Sequence, residues 1–291
     1  GLDFSISNGP GVGFSDAQDC SLRFCKIENA RGNGVTIQAH SQRVTVFGNL
    51  IRFHGQHGVA LRGAGSGKPD VNNYNTVENN HIHHCGRLQG HGYGVEISQS
   101  GYNLIQHNDI HNMPRYGVTL KGNRYQTLRV AVKEVTWENH YDFLHSRKNL
   151  IAFNRIHHCN EDSQDTGAIE AWGPGRDNVI HGNLIYDSGT DQFDLQSGIY
   201  LDDATDHFTV TNNIIYGIHG KGGDQCIYTK GIGNRIENNI LIVDPTNVSA
   251  IRSLFMADER CDHHVYTKNI IYCQGDDARK SGRFMYDFNN W

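Results

Sequence analysis

"NLIAFNRIHHC", residues 149–159, is one copy of a motif that recurs along the whole chain. Each copy has an aliphatic residue, an asparagine three positions later and another aliphatic residue two positions after that. Further copies lie at 75–85, 103–113, 178–188, 208–218 and 234–244. The equivalent asparagines are Asn49, Asn80, Asn108, Asn154, Asn183, Asn213, Asn239 and Asn269, and Cys25 takes the same place near the start of the chain. Their spacing is 24 to 31 residues, with one interval of 46, and such a period is typical of a solenoid.

Each repeat contains two short runs in which apolar residues alternate with polar ones, separated by Gly, His, Asp and Asn. A single repeat cannot close a core, whereas stacked coils can, because each strand pairs with its equivalents above and below. An inward asparagine is costly alone, but asparagines stacked at strand spacing can bond one another and the nearby backbone. The repeat therefore predicts an all-β fold, a right-handed single-stranded parallel β-helix (a solenoid) of about nine coils. A leucine-rich repeat is the main alternative, and its leucine-dense consensus is absent from the sequence.

The composition fits a single elongated domain spanning residues 1–291. A hydrophobic content of 37% is lean for a compact globule but suits a thin solenoid core, and 33 glycines fit many tight corners. The net charge of −5 argues against a nucleic-acid-binding stripe, which would be basic. No apolar run approaches membrane-spanning length and no signal peptide is recognisable, so we expect neither nucleic acid nor membrane as a partner. Because Gly1 already lies in repeat-like sequence, we expect the chain to be part of a longer protein.

The cysteines and histidines recur at repeat positions. Cys85, Met113 and Cys159 share one register and predict a stack of small residues in the core, not a disulfide framework. The pairs 83–84 and 157–158 are both His-His, and we interpret them as polar stacking at turns in preference to metal ligands. We therefore expect no metal or other cofactor, except Ca²⁺ if the protein is a lyase.

Two segments interrupt the period. The 46-residue interval contains an aromatic and basic insertion, 122–148, and a Gly-rich expansion lies at 63–75. Long loops in compact repeats are more often functional than decorative. We predict that 122–148 folds over the neighbouring sheet and forms one wall of a cleft.

The second strands of the repeats can be aligned by their Gly-aliphatic start, for example "GVEI" at 94–97 and "GIYL" at 198–201. Since side chains alternate along a strand, the residue after the inward aliphatic one points outward. The outward positions of the middle coils hold Glu96, Glu170, Asp202, Lys121, Lys230, Trp172, Tyr200 and Tyr228. Acids, bases and aromatics on one sheet are typical of a carbohydrate cleft, with aromatics covering sugar rings and charges contacting hydroxyls. The alternative is a solvated face with salt bridges between coils.

Two acidic motifs carry a family resemblance. "DTGAIEAWG" at 165–173 and "GIYLDD" at 198–203 resemble a pattern of secreted β-helix glycosidases, for which glycoside hydrolase family 141 is the nearest match we can name. The resemblance spans about residues 50–245 and implies hydrolysis of plant-type polysaccharides by an acid pair, Asp165 and Asp202, with Asp203 adjacent. The chain departs from the pattern at Ala168 and Glu170. The resemblance also implies a secreted, cell-surface or periplasmic location.

Three functions remain open from the sequence. A glycosidase would use Asp202 as nucleophile or base and Asp165 or Glu170 as acid, with Trp172 and Tyr200 as a sugar platform. A polysaccharide lyase would use Lys121, Lys230 or Arg252 to abstract the proton alpha to a uronate carboxylate. A non-catalytic glycan-binding or structural β-helix would bind carbohydrate without turnover. We rank them in that order.

Overall fold

The computed structural model describes residues 2–222, 224–244, 249–254, 261–274 and 285–287. This part of the chain is built almost entirely from short strands, with one α-helix, α1 (Tyr125–Ala131), and one 3-10 helix (His140–Phe143). The strands are β1 (Asp3–Ser7), β2 (Val12–Ser15), β3 (Ser21–Arg23), β4 (Lys26–Ala30), β5 (Val35–Gln38), β6 (Thr45–Phe47), β7 (Leu50–Arg52), β8 (Val59–Arg62), β9 (Thr76–Glu78), β10 (His81–His83), β11 (Val95–Ser98), β12 (Leu104–Gln106), β13 (Asp109–His111), β14 (Val118–Lys121), β15 (Leu150–Ala152), β16 (Arg155–His157), β17 (Thr166–Trp172), β18 (Val179–His181), β19 (Leu184–Gly189), β20 (Gln196–Leu201), β21 (Thr209–Thr211), β22 (Ile214–His219), β23 (Gln225–Thr229), β24 (Arg235–Glu237), β25 (Ile240–Val243), β26 (Ser249–Ser253), β27 (Val265–Thr267), β28 (Ile270–Cys273) and β29 (Met285–Asp287).

The strands form three parallel sheets that the chain visits in turn. Sheet 1 has the order β1-β4-β7-β10-β13-β16-β19-β22-β25-β28, sheet 2 the order β2-β5-β8-β11-β14-β17-β20-β23-β26-β29, and sheet 3 the order β3-β6-β9-β12-β15-β18-β21-β24-β27. Each strand pairs only with its equivalents one coil earlier and one coil later. The protein is therefore a right-handed parallel β-helix, which confirms the fold predicted from the repeat.

The core consists of aliphatic columns that run along the helix. In sheet 1, Ile82 pairs with Ile110, Ile110 pairs with Ile156, and all three are completely buried. Full burial of one such side chain stabilises the fold by about 1.5–3 kcal/mol. Branched side chains also suit the pleated surface of a strand, so the same residues favour both the local structure and the core.

Buried asparagines stack at the bend between sheet 3 and sheet 1. Nδ2 of Asn154 donates to Oδ1 of Asn183 over 3.0 Å and to the carbonyl of Ile105 over 2.9 Å. Oδ1 of Asn154 accepts from both the backbone N–H and Nδ2 of Asn108, each at 3.0 Å. The same contacts repeat from Asn49 to Asn269. Every polar atom of these amides is used, so their burial is compensated.

A second asparagine stack lies at the start of sheet 3. Its members are Asn75, Asn103, Asn149 and Asn178, and Nδ2 of Asn149 donates to Oδ1 of Asn178 over 3.0 Å. Sequence reasoning aligned only one asparagine per repeat and missed this stack. The signal was present, because Asn149 is the first residue of the quoted motif.

The sharp bend before each asparagine of the first stack has a backbone cause. The residues before the eight asparagines have φ between 54° and 66°, and they are Gly48, Asn79, His107, Phe153, Gly182, Asn212, Asn238 and Lys268; Phe24, before Cys25, has a φ of 52°. One left-handed residue reverses the chain direction within a single step. The amide contacts of the following asparagine then hold a conformation that most residues adopt at a cost.

The insertion 122–148 forms a small unit beside the end of sheet 2. Leu128, Val135 and Leu144 make its own apolar cluster. The hydroxyl of Tyr141 donates to Oδ2 of Asp206 over 2.8 Å, which ties the insertion to the turn after β20. Neither helix in the described part of the chain is long and apolar enough to cross a membrane.

The predicted small-residue stack lies in the core. Cys85, Met113 and Cys159 are at most 1% exposed. All seven cysteines lie within the described part of the chain, and none forms a disulfide. Burial raises the pKa of Cys85 to about 12, so its thiol is neutral and packs as an apolar group.

Candidate active site

The outer face of sheet 2 brings the candidate residues together. In one column Glu96 pairs with Thr119, Thr119 with Glu170, and Glu170 with Tyr200. The column continues through Tyr228 to Arg252. In the column beside it, Lys121 pairs with Trp172. The observed pairing thus has the register on which the choice of candidate residues was based.

Glu170 lies at the centre of this face and is 1% exposed. Nζ of Lys121, one strand earlier, donates to its Oε1 over 2.6 Å, and the hydroxyl of Thr119 donates to its Oε2. Burial raises the pKa of the Glu170 carboxyl, the contacts with Lys121 and Thr119 oppose that shift, and the charge of Asp202 adds to it. Glu170 therefore binds a proton more readily than an exposed glutamate does.

Asp202 and Asp203 follow strand β20 and share one cation. Nζ of Lys230 donates to Oδ1 of Asp202 over 2.6 Å and to Oδ1 of Asp203 over 3.0 Å. Arg124, from the insertion, lies 3.4 Å from the second oxygen of Asp203. Burial acts to lower the pKa of Lys230, but the charge of Asp202 raises it well above the usual range. Lys230 is thus a permanent cation in contact with Asp202, whose side chain is 14% exposed.

The two tyrosines of this face are buried, which corrects the expectation that they are exposed. Tyr200 and Tyr228 are 1% and 2% exposed. Their rings stack at 4.8 Å with planes 2° apart, and Nζ of Lys230 lies 5.2 Å from the Tyr200 ring centre. The hydroxyl of Tyr200 donates to Oδ1 of Asp165 over 2.9 Å. A Cβ on Gly167 would lie 2.7 Å from Cβ of Tyr200, so this glycine makes room for Tyr200. Tyr200 is not an open sugar platform.

Asp165 and Trp172 lie at the two ends of β17. Asp165 is exposed and adopts a φ of 53° just before the strand, whereas Trp172 is half-buried at the strand's end. Tyr200 lies between Asp165 and Asp202, and its pKa is raised by burial and by the charges of these two acids. Asp165 thus reaches this face through the hydrogen bond that it accepts from Tyr200.

Glu96 belongs to a separate contact two strands away from Glu170. Nε of Arg62 donates to its Oε2 over 2.7 Å. Burial lowers the pKa of nearby His57 to about 4, so its 3.7 Å contact with Glu96 is not an ion pair near neutral pH. At the other end of the column, the guanidinium carbon of Arg252 lies 4.9 Å from the Tyr228 ring centre.

Sequence reasoning missed an aromatic row at the start of these strands. The rings of His57 and Tyr93 stack at 4.5 Å, and Tyr93 lies 4.9 Å from Tyr116. Nζ of Lys121 lies 4.6 Å from the Tyr116 ring centre, so the row extends to the carboxylate cluster. The sequence signal is the aromatic residue directly before the glycine, namely His57 in "HGV" and Tyr93 and Tyr116 in the two copies of "YGV". The alignment of the strands began at the glycine and left this residue out.

Two cavities of different size flank the site. A groove of about 980 Å³ runs over the first coils of sheet 2, between Arg31, Arg62 and Leu88. A cavity of about 20 Å³ lies between the insertion and Asp206, where Tyr125, Trp137, His140 and Tyr141 pack on one another. The larger space suits a ligand the size of a sugar chain, whereas the smaller one suits a single water molecule.

A family model described as "Right handed beta helix region" matches residues 70–241, which is more than half of the chain. The chain belongs to this family. A second model, described as "Periplasmic copper-binding protein (NosD)", matches residues 3–130. Comparison with curated protein sequences gave no significant match.

Solved structures share the β-helix at low sequence identity. A glycoside hydrolase has a TM-score of 0.59 and 14% identity over 95% of this chain and 40% of its own length. The A-module of a mannuronan C-5 epimerase from Azotobacter vinelandii has a TM-score of 0.59 and 10% identity over 94% of this chain and 65% of its own. An alginate lyase from Paenibacillus has a TM-score of 0.57 and 14% identity over 91% and 92%. The chain thus spans less than two thirds of the first two structures, and these likenesses establish the fold.

Proposed function

We propose that this β-helix protein hydrolyses glycosidic bonds in a polysaccharide, with Glu170 as general acid and Asp202 as nucleophile or base. One observation carries the proposal: two carboxyl groups on neighbouring strands of sheet 2 lie in opposite environments. Burial raises the pKa of Glu170, whereas Asp202 is partly exposed and accepts a hydrogen bond from Lys230 over 2.6 Å. Two carboxyl groups close together in different surroundings are the usual arrangement for acid and base roles.

The proposed reaction needs one proton donor and one anion. Glu170 gives its proton to the glycosidic oxygen as the bond to the anomeric carbon breaks. Asp202 either attacks that carbon or takes a proton from the attacking water. Product stereochemistry, measured by NMR soon after mixing, distinguishes the two routes.

The surrounding residues have supporting roles in this proposal. Lys121 covers Glu170 and is itself 24% exposed, so a substrate displaces Lys121 to reach the acid. Half-buried Trp172 offers an aromatic surface beside Lys121. The groove over the first coils, with Arg31 and Arg62, provides room for further sugar units.

The comparisons support the substrate class. The similar structures include enzymes named for glycoside hydrolysis, alginate cleavage and mannuronan epimerisation. For the specific activity, we propose hydrolysis of the kind carried out by glycoside hydrolase family 141. A location outside the cytoplasm is part of the same proposal, supported by the periplasmic family match and a periplasmic alginate epimerase among the similar structures.

The test is a polysaccharide panel with two simultaneous readouts. We expect new reducing ends without ultraviolet-absorbing products. Asp202→Asn should lower kcat by about 10²–10⁴-fold with little change in Tm. The control is Asp19→Asn, because Asp19 is likewise paired with a cation, Arg43, but in an exposed ion pair away from sheet 2. Wild-type turnover in Asp202→Asn would remove that residue from the mechanism.

A lyase is the second candidate because cations surround the tyrosine pair. Lys230 and Arg252 lie 5.3 and 4.9 Å from the Tyr228 ring centre, where they could neutralise a uronate carboxylate. The raised pKa of Lys230 makes it a poor base, which is why hydrolysis ranks first. Unsaturated products on a uronate polymer would establish the lyase and exclude the hydrolase.

A further inference from the structure

The outer face of sheet 1 carries a cluster of imidazole rings away from the candidate active site on sheet 2. His81 lies on β10, and Asp109 and His111 lie on the adjacent β13. One ligand atom from each of the three lies within 4.8 Å of the others. Nε2 of His81 is 2.8 Å from Nε2 of His111, so these two rings meet through the nitrogens that commonly bind metals.

The orientation of His111 is fixed by groups behind it. Nδ2 of Asn112 donates to the carboxylate of Glu161 over 3.1 Å, so Oδ1 of Asn112 must face the other way. That oxygen lies 2.6 Å from Nδ1 of His111 and accepts its proton. In the neutral ring the lone pair is therefore on Nε2, directed at His81. A ligating histidine whose other nitrogen donates to an oxygen is the usual arrangement in metal sites.

We propose that His81, Asp109 and His111 bind one divalent transition ion of the zinc class, with two imidazole nitrogens, one carboxylate oxygen and water. Zn–N bonds of about 2.0–2.1 Å at a tetrahedral angle separate two ligand nitrogens by about 3.3 Å. To bind the ion, the two Nε2 atoms must move apart by only about half an ångström. The ion then replaces the hydrogen bond between the two imidazoles. Imidazole with carboxylate suits zinc-like ions better than Mg²⁺ or Ca²⁺, which prefer oxygen ligands.

Arg155 competes for the carboxylate but does not close the site. It donates to both oxygens of Asp109, over 2.8 Å from Nε and 2.5 Å from Nη2. An ionised carboxylate has about four lone-pair positions, so it can keep the arginine and still accept a metal. The Asp109 and His81 side chains are 27% and 48% exposed, which leaves an approach for the ion and its water.

The ring stack along sheet 1 keeps the group in place. His83 stacks on His111 at 4.9 Å with planes 1° apart, and His157 stacks on the other side at 4.7 Å. The vicinal pairs singled out in the sequence lie beside the group and do not form it. The ion would connect β10 to β13 and thereby cross-link two successive coils.

The test uses Co²⁺ as an optical probe and Zn²⁺ as competitor on the intact chain. We expect one Co²⁺ per chain with visible d–d absorption, displaced by one equivalent of Zn²⁺. His111→Ala and His81→Ala should each weaken binding at least tenfold, and Asn112→Ala about tenfold, because loss of an outer-shell partner costs about 10–100-fold. Zn²⁺ should raise the wild-type Tm and not that of His111→Ala, since a ligand stabilises only the state it binds.

Two matched variants control for the 18 histidines of the chain. His181→Ala removes a strand histidine from sheet 3, and His84→Asn removes one member of a vicinal pair. Both should retain one-equivalent binding with wild-type affinity. Loss of binding in either control equal to that in His111→Ala, or unchanged binding in His111→Ala, would overturn the proposal, as would a wild-type Kd weaker than millimolar.

Discussion

Replacing Asn154 with leucine tests whether the stacked amides stabilise the fold. Leucine has the same number and branching of side-chain heavy atoms and is more apolar, so a core governed by hydrophobicity alone would accept it. The change instead removes four hydrogen bonds: two that Asn154 accepts from Asn108 and those that it donates to Asn183 and Ile105. The backbone N–H of Asn108 and the carbonyl of Ile105 are left buried without these partners.

The expected loss follows from these two orphaned backbone groups. Each buried unsatisfied group costs about 1–3 kcal/mol, so Asn154→Leu should lower the free energy of unfolding by about 2–6 kcal/mol. Ile156→Val is the control, because loss of one methylene from the same coil costs about 0.5–1.5 kcal/mol. Urea unfolding followed by circular dichroism gives both values. Native-state hydrogen exchange of the Asn108 amide should accelerate only in Asn154→Leu. A smaller loss in Asn154→Leu than in Ile156→Val would refute the reasoning.

Three further predictions concern the acid, the insertion and a buried histidine. Activity should fall as pH rises through the raised pKa of Glu170. Glu170→Gln should abolish this alkaline limb of the pH profile when activity is measured on aryl glycosides, whose leaving group needs no proton. An unchanged alkaline limb would assign it to another group. Replacing 122–148 with a Gly-Ser linker should raise KM while circular dichroism stays unchanged, and unaltered KM and kcat would make the insertion decorative. Burial lowers the pKa of His54 to about 4, so the folded state resists its protonation and loses up to about 3 kcal/mol as pH falls from about 6.5 to 4. His54→Gln should flatten that slope in urea titrations, and an equal slope would exclude His54 as its cause.

The fold was predictable because the decisive information is periodic. Asn154 and its equivalents recur at coil spacing, and alternation within strands predicts the outer-face positions of Glu170 and Tyr200. The second stack was not predicted, because Asn149 and Asn178 were aligned as the start of the motif and not as a column of stacked side chains. The period alone does not say which of two recurring asparagines is inward; in this protein both are.

The environment of the site was less predictable, since it depends on residues far apart in sequence. Burial of Tyr200 requires Gly167 on the previous coil and Lys230 on the next one. Salt bridges between coils, which the alternative interpretation of this face expected, join Lys121 to Glu170 and Lys230 to Asp202. Strand alternation gives the direction of a side chain, whereas its protonation depends on the neighbours that cover it.

The first asparagine stack also gives the molecule an electrical direction. All seven amide-to-amide bonds from Asn49 to Asn269 run the same way, with each Nδ2 donating toward the C-terminal coil. Dipoles aligned head to tail add together and polarise one another, as peptide dipoles do along an α-helix. The asparagine column therefore has a positive and a negative end, and a coil added or lost at either terminus moves the position of that partial charge.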